Sequence, residues 1–240
     1  MAGEGYLHIR VHPEQVGKGD RKHKRIYVSV NAAAFIMNQI ERRFAGLEDL
    51  LLAYDRLKRS EEDGPTQTKD RQVALDMGYE RGNDLVSAAW DVVDWIDRLR
   101  KVLGAVAGVK RKEDWYRETM KAVGCAKQMR DFFQHYDRSL TTFVDGGYPL
   151  MGSVVCSFPA DNGGAYRRVV MATPVRYAGD PGVCVGGIAK TAHASGKVSS
   201  IILSIADRFI DLSDVTSTLR EGQRHFAAYL ADRYQFEWPE

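Results

Sequence analysis

The chain is poor in cysteine, and that shortage excludes more than it suggests. Cys125, Cys156 and Cys184 are the three cysteines in 240 residues, and no two stand at Cys-x-x-Cys spacing. Neither a disulfide framework nor a cysteine zinc site can be built on that pattern, so reduced thiols in a cytoplasmic protein are expected. Long apolar runs are also missing: no stretch reaches the roughly 18 continuous apolar residues that a membrane helix needs. The opening Met1-Ala2-Gly3-Glu4-Gly5 has no secretory character. Nor is charge of one sign in excess. A net charge of +2 is too small for the whole chain to attract a polyanion, and any basic surface must come from local clustering.

Several chemical signatures are absent as well. Asn162-Gly163-Gly164 and the other glycine pairs do not sit in a Gly-x-x-x-x-Gly-Lys-Ser/Thr cradle, and turn chemistry accounts for them. Ser153, His193 and Ser195 form no nucleophile elbow. Asp84, Asp91, Asp94 and Asp97 have a spacing that could hold a metal, but a solvated acidic face paired with Arg98 and Arg100 explains them more simply. His8, His12 and His23 share no metal-ligand spacing. No metal and no cofactor is expected.

What the chain does have is enough apolar material for a real core: 44% hydrophobic residues against 28% charged is the balance of a globular domain. Residues 5–30 read as two strands, with Leu7, Ile9 and Val11 alternating in the first and Ile26, Val28 and Val30 in the second. Between them lies a basic run that includes Lys18, Arg21, Lys22, Lys24 and Arg25. It reads either as a solvated hairpin tip or as a phosphate-contacting loop. Asn31 is a candidate cap for a long helix reaching about residue 59, with Met37, Ile40, Phe44, Leu47, Leu51 and Tyr54 at steps of three and four. A second helix begins between residues 71 and 83 and runs to about Gly104, burying Leu85, Ala89, Val92, Val93, Ile96, Leu99 and Leu103. A third opens at Asp114 and carries a stripe through Val123, Ala126, Met129 and Phe133 to Tyr136.

Beyond Thr141 the character changes to short runs rich in valine and isoleucine with glycine-rich turns. Residues 151–158, 165–173, 183–189 and 198–206 read as strands. Ser213 or Asp214 then opens a final helix with Val215, Leu219, Phe226 and Tyr229 on its buried side. The fold class expected is α+β: a helical bundle over 31–140, a β-rich segment over 141–210, and a last helix over 211–240 returning to the bundle. The 1–30 hairpin is expected to join the later sheet, since neither has enough strands alone.

The stretch that carries chemistry is Arg130-Asp131-Phe132-Phe133-Gln134-His135-Tyr136-Asp137-Arg138, at the end of the third helix. At about 100° per residue, Asp131 and His135 share a face one turn apart, and Arg138 follows His135 at i+3. Arg130 lies about 140° round from His135, so one helix does not readily aim both at a single point. A second copy of the chain could complete the site. The residue types suit phosphodiester chemistry on RNA. Imidazole ionises near neutrality and can take a proton from a 2′-hydroxyl or return one to a leaving oxygen. A carboxylate can orient it, and a guanidinium matches phosphate oxygens with a flat fork. The plainer reading is a helix-end histidine bonded to Asp131 beside Phe132.

Long antiparallel helices followed by a helix ending in Arg130-Asp131-x-x-x-His135 with interleaved aromatics resemble the HEPN superfamily, over roughly residues 31–140. The resemblance implies an HEPN-like bundle with an added antiparallel sheet. It also implies a homodimer that brings two motif copies into one cleft. The activity it implies is a metal-independent endoribonuclease of a defence or toxin–antitoxin system that leaves a 2′,3′-cyclic phosphate. In that reading His135 is general acid/base, Arg130 stabilises phosphorane charge, Asp131 orients the imidazole, and Arg138, Lys22, Lys24 and Arg25 bind RNA. An antitoxin or another defence protein is the implied partner. Other members only bind RNA or scaffold a complex, and that is the alternative function. In the toxin branch a His-x-Tyr follows the motif, whereas here tyrosine comes directly as His135-Tyr136, so regulation by modifying that tyrosine does not carry over.

Overall fold

The computed structural model describes residues 21–63, 68–105, 113–135, 141, 151–159, 165–171 and 198–234. In chain order these form α1 (Arg21–Asp63), α2 (Thr68–Ala105), α3 (Asp114–Gln134), β1 (Ser153–Pro159), β2 (Ala165–Met171), β3 (Ser200–Ile205), β4 (Arg208–Asp211) and α4 (Leu212–Tyr234). The class is α+β, a set of helices with one small antiparallel sheet. No described helix is long and apolar enough to cross a membrane.

The first helix begins earlier than the sequence suggests. Residues 26–30, read above as a strand, belong to α1, and so do Lys22, Lys24 and Arg25 of the supposed hairpin tip. A short apolar alternation is ambiguous, because positions i and i+4 share a helical face as well as a strand face. The exposures separate the two: Val30 is fully buried while Val28 is 63% exposed, on opposite sides as a helix requires. The first strand of that supposed hairpin (Leu7, Ile9, Val11) and the strand expected over 183–189 lie outside the described residues.

Close contacts divide the chain into two units. One comprises residues 1–42, 94–127 and 215–240. Its core takes Val30, Ala33, Met37 and Ile40 from α1, Ile96, Leu99 and Leu103 from α2, Val123 and Ala126 from α3, and Val215, Leu219 and Phe226 from α4. Each fully buried aliphatic or aromatic side chain contributes on the order of 1.5–3 kcal/mol. The Tyr116 hydroxyl donates to the Leu103 carbonyl at 3.5 Å, and the Arg220 guanidinium grips Glu41 with contacts of 2.8–3.1 Å. Asp97, expected on a solvated face, is 2% exposed; Arg100 Nε and Lys101 Nζ each approach its carboxylate at 2.9 Å and compensate its burial. Gly222 lets α4 approach α3 closely, since a Cβ there would collide with Thr119 Oγ1.

The other unit comprises residues 43–93 and 128–214. Phe44, Leu47, Leu51 and Tyr54 of α1 are buried in it, as are Leu85, Val86, Ala89, Val92 and Val93 of α2. The four strands run in the order β2-β1-β3-β4, each neighbour antiparallel. Side chains alternate along them, so Val154, Cys156, Phe158, Ile201, Leu203, Ile205 and Ile210 fill the inner face. The outer face is built on serines: Ser153 and Ser204 share a hydroxyl hydrogen bond at 2.8 Å, and Ser200 Oγ donates to Ser157 Oγ at 3.2 Å. Gly152 enters β1 at a φ of +82°, against the Ser204 carbonyl, where no side chain fits.

A buried ion pair fixes the sheet to α1. Arg168 of β2 pairs with Asp55 of α1, and both are under a tenth exposed. Cys156 lies opposite Arg168 in the ladder, its thiol 3.7 Å from the Arg168 carbonyl. Burial, with the Asp55 charge adding to it, pushes the Cys156 thiol up to about 12, so it is a neutral core group rather than a nucleophile.

Candidate functional site

The end of α3 that carries Arg130, Asp131 and His135 belongs to the unit with the sheet. Its orientation follows from which residues are apolar. Met129 is buried, and Phe132 and Phe133, three and four residues on, continue its stripe and are half-buried. Phe133 stacks on Trp90 of α2 with ring centroids 4.5 Å apart and planes 26° from parallel. Trp90 is held in turn, since its indole N–H donates to the Met151 carbonyl at 2.8 Å. The helix end is therefore anchored through one aromatic to α2 and through Trp90 to the segment entering the sheet.

With that stripe turned inward, Asp131, Gln134 and His135 are left exposed, and Arg130 is half-buried at the flank. The regular helix stops at Gln134. His135 stands one residue beyond it, where its backbone N–H donates to the Phe132 carbonyl at 3.3 Å and tightens the last turn. Asp131 and His135 are thus both open to solvent at the helix end. Arg138 lies outside the described residues, and so do the side chains of Lys22, Lys24 and Arg25.

Two neighbours were not visible from the motif. With its amide oxygen turned toward Arg130, Gln134 accepts hydrogen bonds from Arg130 Nε at 3.1 Å and NH2 at 3.2 Å. Gln134 stands four residues after Arg130, the spacing of a helical side-chain pair, and that was the available signal. The second neighbour is Arg208 of β4, whose guanidinium carbon sits 4.8 Å from the centre of the Phe132 ring. No local signal marked it. β4 is a four-residue strand with only Phe209 and Ile210 as apolar members, too short for a period to emerge.

β4 is positioned by a two-residue turn in which Ala206 takes a φ of 51°, a left-handed conformation that costs a non-glycine residue about 1 kcal/mol. The turn pairs Ile205 with Arg208, and Ile210 is buried on the same side of the strand. Arg208 therefore reaches toward Phe132, while Phe209 points the other way and is 69% exposed. The helix end contributes Arg130, Asp131, His135 and the rings of Phe132 and Phe133, and β4 contributes Arg208 and the exposed ring of Phe209. Among the described residues no group of three His, Cys, Asp or Glu is placed to hold a metal ion. No protein-family model, curated protein or solved structure matches the chain.

Proposed function

We propose that the end of α3 is an RNA-cleaving site of HEPN type, acting without a metal ion in a cytoplasmic defence or toxin–antitoxin system. The observation that carries this reading is the exposure of Asp131 and His135 at a helix end whose inward side is fixed by the Phe133–Trp90 stack. An acid/base residue has to meet its substrate in a repeatable geometry, and an anchored helix end supplies one.

In the proposed reaction His135 takes the proton of a 2′-hydroxyl, and the 2′-oxygen attacks the adjacent phosphorus. The bond from phosphorus to the 5′-oxygen then breaks, and that oxygen is protonated, leaving a 2′,3′-cyclic phosphate and a free 5′-hydroxyl. Arg130 steadies the charge that builds on the phosphorane oxygens. Gln134 orients its fork through the Nε edge. Asp131 orients the imidazole. A homodimer bringing two helix ends together would let one histidine act as base and the other as acid, and an antitoxin or other defence protein would restrain the activity.

The Arg130–Gln134 pairing also supports a second reading, in which the site binds RNA without cutting it or scaffolds an assembly, because it already occupies the edge best shaped for a bidentate phosphate contact. Cleavage of a labelled RNA panel with end-group analysis separates the two. His135→Ala and Arg130→Ala should each lower cleavage about a hundredfold or more. Asp131→Ala should have a smaller effect, and activity should survive EDTA. Undiminished cleavage by His135→Ala would put the chemistry elsewhere. A wild-type protein that binds RNA and cuts none of it would favour the binding reading.

A further inference from the structure

We propose that Arg208 is a substrate-contacting residue of this site, taking a phosphate of an unpaired RNA strand that passes over the end of α3. The inference rests on the RNA reading above and adds a residue from a different element. Arg208 is exposed on β4, an edge strand of the described sheet, and its guanidinium lies over Phe132. Phe132 stands between Arg130 and His135 in sequence, and its carbonyl holds the His135 N–H. A guanidinium laid on a ring keeps its N–H edge pointing outward, in the orientation that meets two phosphate oxygens. The ring limits the side chain's freedom, so less is lost on binding than for an arginine loose in solvent.

The geometry also favours a single strand over a duplex. In-line attack by a 2′-oxygen requires a backbone able to leave A-form geometry. Beside Arg208, the exposed ring of Phe209 offers a surface for an unstacked base. Because neighbouring residues on a strand point to opposite faces, the phosphate and the base would be held from either side of the β4 edge.

The test uses the full chain carrying His135→Ala, so that binding is measured without cleavage, with a short unpaired RNA and a matched duplex as probes. Arg208→Met keeps an unbranched side chain over Phe132 and removes only the charge and the fork. It should weaken binding of the unpaired RNA about tenfold and lower the slope of log affinity against log salt by about 0.7, the share of one single-strand phosphate. Arg208→Lys should retain the slope and lose part of the affinity. Loss of unpaired-RNA binding should exceed any loss on the duplex. If the parent binds RNA and Arg208→Met matches it in affinity and slope, Arg208 is no contact, while the RNA reading stands. If neither wild type nor parent binds RNA, both readings fall. Should the methionine variant disturb the helix end, the lysine variant decides: a slope lost with the charge still present would overturn the proposal.

Discussion

Replacing Asp55 with alanine should be among the most damaging single changes available in the sheet-bearing unit. The carboxylate and the Arg168 guanidinium it pairs with are 3% and 10% exposed at the side chain, so neither is screened by solvent. Removing the acid leaves a guanidinium, which cannot shed its charge, inside the fold with one partner fewer. The cost of such an uncompensated buried ion is about 3–5 kcal/mol. At roughly 2 kcal/mol per molar urea, the midpoint should fall by about 1.5–2.5 M. Hydrogen exchange at the β1 amides, which pair with β2 on one side and β3 on the other, reports this unit directly and should accelerate in step. The diagnostic is the double replacement Asp55→Leu with Arg168→Met, which removes both charges. It should be less harmful than the sum of the two single changes by about 2 kcal/mol or more. Strictly additive singles, or an Asp55→Ala cost below about 1 kcal/mol, would refute the idea that the pair compensates buried charge.

Three other outcomes follow from positions described above. Gly222→Ala should destabilise by about 1 kcal/mol, because the collision with Thr119 Oγ1 outweighs the gain in helix propensity; in a Thr119→Ala background the same change should become stabilising, as thermal melts will show. Ala206→Gly should raise stability by about 0.5 kcal/mol, since relief of the left-handed φ exceeds the added freedom of the unfolded chain; a lower melting temperature would argue against strain at this turn. Cys156 has a folded pKa of about 12 against an ordinary 9.0, so the fold prefers the neutral thiol. Its contribution is complete below pH 9.0 and is lost as pH rises toward about 12, and in Cys156→Ala the urea midpoint should decline less over that window than in wild type.

The parts of the fold that were legible are those where one period runs for many residues. The stripe from Met37 to Tyr54 is buried throughout, as is the one from Leu85 to Leu103, because a helix repeats its inward face often enough to declare itself. β1 and β3 were legible as short runs rich in valine and isoleucine between glycine turns, and the structure adds the alternation of half-exposed and buried side chains along them. β4 was not, since four residues hold too little pattern. The start of α1 is not legible because a β-branched alternation alone fits strand and helix equally, whereas the burial of Val30 against the exposure of Val28 belongs to a helix. At the site, helical spacing puts the Met129, Phe132 and Phe133 stripe inward and leaves Asp131 and His135 exposed. Arg208 could not be anticipated, because its meeting with Phe132 depends on a turn at Ala206 and on pairing between distant strands. Likewise, the cap of α4 is neither Ser213 nor Asp214 but Asp211, whose carboxylate accepts the Asp214 N–H at 3.0 Å, while Ser213 accepts the Ile201 N–H at 2.9 Å.

The serine-lined outer face of the sheet bears on how any of these measurements can be read. Its cross-strand hydroxyl bonds, Ser153 with Ser204 and Ser157 with Ser200, carry no net charge and do not titrate in the working range of pH. The Arg168–Asp55 ion pair that ties the sheet to α1 is buried beyond the reach of mobile counterions. Raising ionic strength should therefore leave strand register and the β4 edge unaltered while stripping a polyanion from its cations. A salt titration then reads the ligand's electrostatics apart from any response of the sheet.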